Sequence, residues 1–267
     1  RLKPPTWRAA PAAQRFADLY LKDEEAAIEA TRLNHRLLAH ELRAVGIDVD
    51  CAPVADLRIK GADAIIGDRA FGTTPAPIAH LGRAAMEGLM AGGVAPIVKH
   101  IPGHGRAKAD SHLELPVVPE EHGLLSETDF APFKALNDAP MAMTAHIVYA
   151  DIDDSAPATQ SRDVVEKVIR GEIGFDGLLM TDDLSMKALE GTFRERGERS
   201  LKAGCDMLLH CNGDMSEMKA VAEGAARLDG KRLERADGAA AARGTIEEFD
   251  PQDAESRLNA LLEPVTG

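Results

Sequence analysis

The sequence is poor in three features that would each indicate a particular class of partner. Its 31 lysines and arginines are outnumbered by 44 acidic residues, and nucleic-acid binding requires a clustered basic face. No basic amphipathic run indicates binding to a membrane surface, and no apolar run approaches the ~20 residues of a membrane span. No signal peptide is visible either. We therefore expect neither a nucleic acid nor a membrane as partner.

Cysteine is also scarce. Cys51, Cys205 and Cys211 are odd in number, and they lack the close pairing of a metal site apart from one C-x5-C spacing. This usage predicts free thiols in a reducing compartment.

The most informative stretch is KHIPGHGRAKADSHLELP, from Lys99 to Pro116. A continuous helix is excluded there because Pro102, Gly103 and Gly105 interrupt the backbone ladder and favour turns. The preceding residues 93–98 are apolar and strand-like, so a buried strand opens into a histidine-rich loop. Active sites of parallel α/β folds lie at that end of the strands. The two glycines predict a mobile loop that closes on substrate.

The rest of the chain alternates strands and helices. Strands are predicted over residues 47–57, 93–100, 141–148, 175–182 and 205–210. Helices are predicted over residues 12–21, 24–45, 78–91, 127–137, 162–170 and 195–203, and again in the alanine-rich stretch 239–242. Gly46 stands where a helix C-terminal cap belongs.

This α/β order predicts a parallel sheet with helical crossovers. A TIM (β/α)8 barrel fits best, but five strands are too few to close one. A doubly wound sheet is the alternative, although no Gly-rich nucleotide fingerprint follows any strand.

Polar residues gather at the predicted carboxyl ends of the strands. They are Asp56, Arg69, Lys99, His100, His104, Asp110, His112, His146, Asp182, Asp183 and Asn212. One hypothesis is metal-assisted hydrolysis, in which the four histidines and an aspartate hold Zn²⁺. Against it, the H-x-H and H-E-x-x-H spacings are absent and Lys99 is an awkward neighbour for a dication.

A second hypothesis is covalent acid/base catalysis on a neutral polar substrate such as a sugar. Asp182 would be the nucleophile and His112 the proton donor, while Asp110, two residues earlier in D-S-H, would fix its tautomer. Arg69, Lys99 and His100 would donate hydrogen bonds to substrate hydroxyls. The third interpretation makes these residues helix caps and charge partners, which does not explain why so many converge on one edge.

These residues also carry a family resemblance. K-H-I-P-G-H-G-x4-D-S-H resembles the signature of the bacterial β-N-acetylhexosaminidases of glycoside hydrolase family 3, the NagZ type. The match continues through IDVDCAPVADL, GDRAFG, PMAMTAHIVY, GFDGLLMTDDLSM and AGCDMLLHCN, in the family's order. It covers most of residues 37–212.

The resemblance implies a single TIM-barrel domain over residues 1–267 that removes terminal β-linked N-acetylglucosamine with retention of configuration. It implies Asp182 as nucleophile and His112 as general acid/base with Asp110 as its partner. Sugar-binding positions fall on Arg69, Lys99 and His100, and neither a metal nor a cofactor is implied. Asp183 stands where the family's two-domain β-glucosidases have tryptophan, which favours the hexosaminidase branch.

The resemblance further implies a cytoplasmic enzyme of cell-wall recycling that acts on anhydro-muropeptides. Members of this family carry three more strands and a sugar-binding D-Q-E-G-G-R-V segment before the position of Arg1. We therefore expect this chain to supply the last five βα units of an N-terminally incomplete barrel. A family-3 phosphorylase and a catalytically silent sugar-binding barrel are the alternative functions.

Overall fold

The computed structural model describes residues 2–265. Its strands are β1 (Val49–Asp50), β2 (Ala95–Ile101), β3 (Val117–Val118), β4 (Met141–Thr144), β5 (Val148–Tyr149), β6 (Leu178–Asp183) and β7 (Met207–Leu209). Its helices are α1 (Ala13–Tyr20), α2 (Glu24–Ala44), α3 (Pro75–Ala91), α4 (His122–Glu127), α5 (Ala131–Ala135), α6 (Phe193–Ala203), α7 (Met215–Gly224), α8 (Gly230–Ala241) and α9 (Pro251–Leu262). A π-helical segment spans Val164–Glu172, and short 3₁₀ turns span Gly67–Arg69, Ala158–Gln160 and Glu263–Val265.

Five strands form one parallel sheet in the order β1-β2-β4-β6-β7, with helices in the connections. β3 and β5 form a separate parallel pair. The predicted α/β class is thus confirmed, and residues 2–265 make a half-barrel rather than a closed (β/α)8 barrel. Within this part of the chain, no helix is both long and apolar enough to cross a bilayer.

The long helix α2 shows how the sequence sets element boundaries. The Asp23 side chain accepts a hydrogen bond of 3.0 Å from the Ala26 amide and caps the first turn. At the other end, Gly46 has a φ of +80° and its amide donates to the Arg43 carbonyl at 3.0 Å, while the Ile47 amide donates to the Leu42 carbonyl. This pair of bonds is a Schellman motif, which confirms Gly46 as the cap.

The amino ends of the strands are covered by α8. Arg235 donates to Asp176, just before β6, and to Asp206, just before β7, while Arg243 pairs with Asp48, just before β1. On the same side, Ala239 packs onto an apolar cluster of side chains from the strands, namely Ala95, Ile97, Met141, Met143, Leu178 and Met180. The carboxyl ends of the strands are therefore the ends left for a site.

Two predicted strands differ from the structure in more than their end residues. Residues 47–57 form regular strand only at Val49–Asp50, followed by one isolated bridge from Val54 to Lys99, because Pro53 has no amide to donate to the ladder. The predicted strand 141–148 is two strands in different sheets. After Thr144 the chain leaves the main sheet, and Val148–Tyr149 pairs with Val117–Val118, a strand that was not predicted.

The single helix predicted over residues 127–137 is wrong. α4 ends at Glu127, and α5 begins at Ala131 and is five residues long. Between them, the Thr128 hydroxyl lies 2.6 Å from the Leu124 carbonyl oxygen and 2.8 Å from the Asp129 carboxylate, and its one hydrogen donates to either acceptor. These local bonds replace the backbone ladder of a continuous helix. Pro132, at the start of α5, has no amide hydrogen to continue the ladder.

Candidate active site

Asp182 lies in β6 at the carboxyl edge of the sheet, with its side chain 17% exposed. One carboxylate oxygen accepts the Asp183 amide at 2.8 Å, and the other lies 3.9 Å from His100 Nε2. Burial raises the pKa of this carboxyl, but the nearby His100, His146 and Lys99 and the Asp183 amide outweigh it and lower the pKa below its ordinary value. Asp182 is therefore ionised at neutral pH.

His100, in the neighbouring strand β2, is oriented by a second carboxylate. Asp56 is fully buried and accepts a 2.7 Å bond from His100 Nδ1 and 3.2 Å bonds from the His100 amide. Burial raises the pKa of Asp56, yet the histidines beside it and these hydrogen bonds lower it overall. Because the Nδ1 proton is held by Asp56, His100 Nε2 is the ring atom that faces Asp182.

His146 contacts the backbone at the carboxyl end of β6, next to Asp182. Its ring is fully buried, with Nδ1 2.7 Å from the Thr159 hydroxyl and Nε2 donating to the Asp183 carbonyl at 3.1 Å. Burial lowers its pKa, although Asp182 partly opposes that shift, so the ring is neutral. The sequence had offered this residue as a metal ligand, whereas its contacts hold the backbone next to Asp182.

Asp110 and His112 form the predicted pair. One Asp110 oxygen accepts from both the His112 amide and His112 Nδ1, each at 2.8 Å. Burial raises the pKa of Asp110, but those two bonds and the nearby histidines lower it overall. The His112 side chain is 58% exposed, and within residues 2–265 no hydrogen bond or ion pair joins this pair to Asp182.

Arg69 and Lys99 line one cleft of about 530 Å³ beside β1. Arg69 Nη1 donates to the Ile65 carbonyl at 3.0 Å, which fixes the guanidinium at the wall. Asp50, the last residue of β1, lines the same cleft and was missed by sequence reasoning. Burial raises its pKa and Lys99 partly offsets the rise. The sequence contained one signal for Asp50, namely that it is a polar residue at the end of a strand.

The glycines of the histidine-rich loop lie at close backbone approaches. A Cβ on Gly105 would stand 2.1 Å from the Leu57 carbonyl oxygen, and Gly103, with a φ of +149°, lies against Asp129. Both positions therefore require glycine for packing. The mobility of the loop stays a prediction.

Two other residues of the predicted set fit the third interpretation. Asp183 accepts from the Ser185 amide and hydroxyl, and Asn212 accepts from the Asp214 amide and pairs with Glu217. These bonds shape turns after β6 and β7.

Metal ligation finds no support in these contacts. Across residues 2–265, no three of His, Cys, Asp and Glu are arranged to hold a metal ion. The three cysteines are free thiols, as the sequence predicted.

Known proteins are similar to this chain over the region that contains these residues. Residues 6–238 match the N-terminal domain of glycosyl hydrolase family 3. The chain belongs to this family. It is 39% identical over 216 residues to a beta-hexosaminidase of Bordetella avium and 41% identical over 209 residues to one of Alkalilimnicola ehrlichii. The alignments cover 79% and 76% of this chain but only 61% and 59% of those relatives.

Solved family 3 structures agree. Native NagZ from Neisseria gonorrhoeae superposes with a TM-score of 0.84 at 33% identity, covering 98% of this chain and 78% of that one. The same protein in complex with N-trifluoroacetyl-D-glucosamine gives 0.84 at 32% identity over the same coverage. The expected family is therefore confirmed.

Proposed function

We propose that this family 3 chain carries the catalytic groups of a retaining exo-β-N-acetylglucosaminidase. The observation that carries the proposal is Asp182, a largely buried carboxylate kept ionised at the carboxyl edge of the sheet. A nucleophile must be ionised and must be held still, and the Asp183 amide and His100 serve both needs. The beta-hexosaminidase names of the curated relatives support the same chemistry.

In the first step Asp182 attacks the anomeric carbon, the bond to the glycosidic oxygen breaks, and His112 gives that oxygen a proton. In the second step His112 removes a proton from water, which releases the sugar from Asp182 with its configuration retained. Asp110 holds Nδ1 of His112, so the acid/base atom is Nε2. His112 is exposed, so its ring is open to the glycosidic oxygen of a bound substrate.

Arg69, Lys99 and His100 bind the sugar hydroxyls, with Arg69 and Lys99 as hydrogen-bond donors. Arg69 and Lys99 share one cleft, and His100 Nε2 faces Asp182 from the next position along β2. We propose N-acetylglucosamine as the bound sugar because the Neisseria NagZ structure contains an N-acylglucosamine. Cytoplasmic cleavage of N-acetylglucosaminyl anhydro-muropeptides in peptidoglycan recycling is the biological role proposed.

The test is hydrolysis of 4-nitrophenyl β-N-acetylglucosaminide by the chain and by Asp182→Ala. We expect turnover by the wild type and a loss of at least about a thousandfold in the variant, because no other group replaces the covalent intermediate. Azide should restore some turnover to Asp182→Ala and give the α-glycosyl azide, since the small anion enters where the carboxylate was.

Asp183→Ala is the matched control, because this neighbouring carboxylate bonds Ser185 in the turn after β6 and the Cys211 amide after β7. Equal loss in both variants, or full activity in Asp182→Ala, would reject Asp182 as nucleophile. Activity abolished by a chelator would instead support the metal hypothesis.

A further inference from the structure

The Asp110–His112 pair lies on a loop that has a single buried anchor. Between Ala107 and Pro116, both buried, the one buried residue is Ser111, which is 2% exposed. Its two neighbours in the sequence form the acid/base pair, and His112 is exposed. Whatever holds Ser111 therefore sets the position of both.

The partner of Ser111 is His104. The Ser111 hydroxyl and His104 Nε2 share a hydrogen bond of 3.0 Å, and His104 is itself only 3% exposed. Burial lowers the pKa of His104 to about 4, and His100 contributes in the same direction. A neutral ring has one protonated and one free nitrogen, so it can share a hydrogen bond with a hydroxyl in either direction.

His104 is in turn fixed to the centre of the site. Its amide donates to Asp56 at 2.6 Å, and its ring stands edge-on to the ring of His100 with centroids 5.5 Å apart. Asp56 also holds His100, whose Nε2 faces Asp182. One continuous set of contacts thus runs from the nucleophile to Ser111, in the middle of the acid/base loop.

We propose that His104 and Ser111 are positioning residues, and that their hydrogen bond holds the Asp110–His112 pair in register with Asp182. Neither side chain touches substrate in this proposal. Their effect on catalysis rests on the proposed glycosidase function, whereas their effect on the position of the loop does not. The loop has no other buried side chain to replace this bond.

The first test is hydrogen exchange of the loop amides in Ser111→Ala, a change that removes one oxygen. The amides of Leu113 and Glu114 donate to the Asp110 carbonyl at 2.8 and 3.1 Å, so they report the loop turn directly. We expect their exchange to become at least about tenfold faster, with amides of β2 and β6 unchanged. The matched control is Ser200→Ala, since Ser200 is equally buried but bonds only the Arg196 carbonyl in α6.

The second test is the dependence of kcat/KM on the leaving group. A phenyl leaving group requires protonation and a 2,4-dinitrophenyl group does not, and general acid catalysis is typically worth about 10² to 10⁴ in rate. We expect Ser111→Ala to lower kcat/KM about tenfold or more for the phenyl substrate and less than about threefold for the dinitrophenyl substrate. His104→Gln, which keeps a polar group near Nε2, should retain more activity on the phenyl substrate than His104→Ala.

The outcomes separate the two proposals. A wild type without turnover rejects the glycosidase, and the exchange rates then still test the loop anchor. Exchange rates and a leaving-group dependence in Ser111→Ala that match those of Ser200→Ala overturn the positioning role. Equal losses on both substrates also overturn it, because they indicate general damage rather than a misplaced acid.

Discussion

One buried carboxylate, that of Asp56, organises the candidate site. Asp56 is fully buried, and a buried carboxylate without partners is costly. It accepts from the His100 amide, from His100 Nδ1 and from the His104 amide. The same three donors that satisfy the carboxylate belong to the two histidines that it orients, so the stability of Asp56 and the geometry of the site are coupled.

Replacing Asp56 with asparagine removes the negative charge of the side chain but keeps its shape. One carboxylate oxygen becomes an NH₂ group, which faces N–H donors and leaves at least one of them unpaired. We expect a loss of about 1 to 3 kcal/mol in the free energy of unfolding and a fall of about 10- to 100-fold in kcat/KM, as for other partners that orient a histidine. Denaturant titration and hydrolysis of an aryl N-acetylglucosaminide measure the two effects.

Asp63→Asn is the control, because the Asp63 side chain accepts only the Ile65 amide at 2.8 Å, which an asparagine oxygen also accepts. An Asp56→Asn variant as active as this control would show that His100 keeps its orientation without the carboxylate.

At the scale of elements, helices were predicted better than strands. α2 and α6 show apolar periodicity along their length or caps at their ends. Their predicted bounds lie close to the observed Glu24–Ala44 and Phe193–Ala203. The central strands β2 and β4 are buried on both faces and show no alternation of burial, so their ends were not readable from the sequence. The β3–β5 pairing depends on contacts 31 residues apart at Val117 and Val148, which local patterns do not contain.

The contacts of the candidate site show the same difference between local features, which the sequence predicts, and long-range ones, which it does not. Asp110 and His112 are two residues apart, so their contact was predictable from local geometry, and the structure contains it. The bonds from Asp56 to His100 and His104 join residues 44 and 48 positions apart, and only the fold brings them together. The lack of contact between His112 and Asp182 was equally unreadable from the sequence.

Helix α3 packs on α2 through glycine. A Cβ at Gly88 would stand 2.3 Å from the Arg32 carbonyl oxygen in α2, so the two backbones approach as closely as glycine permits. Gly238, in α8, has no neighbouring atom within 4 Å of its ideal Cβ. A Cβ added at Gly88 therefore meets the backbone of α2, whereas a Cβ added at Gly238 meets open space.

Gly88→Ala should destabilise the protein by about 2 to 4 kcal/mol, because overpacking against a backbone forces the helices apart. Gly238→Ala should stabilise it by up to about 1 kcal/mol, because alanine favours a helix over glycine. Thermal or urea unfolding of both variants checks the prediction. Equal effects of the two substitutions would mean that α2 and α3 separate without cost.

At the scale of the whole molecule, burial keeps several histidine rings neutral, and His35 and His104 join His146 among them. His35, in α2, is 6% exposed and bonds the Thr31 carbonyl through Nδ1 at 2.8 Å. Burial lowers its pKa to about 4, and the charge of Arg8 acts in the same direction. The pKa of His104, which precedes the loop that carries Asp110 and His112, is likewise lowered to about 4, chiefly by burial. Both rings regain an ordinary pKa near 6.5 when the chain unfolds.

The free energy of unfolding should therefore fall as the pH drops from about 6.5 towards 4. In that range the unfolded chain binds protons at His35 and His104 that the folded chain does not, so acid favours unfolding. Between pH 7 and pH 5 we expect a loss of about 1 to 2 kcal/mol for each ring. Urea unfolding at the two pH values measures the loss, and His35→Gln should remove the part that His35 contributes. His40→Gln, the same change on the exposed side of α2, should leave the loss unaltered. A wild-type protein equally stable at both pH values would mean that these histidines are protonated in the fold.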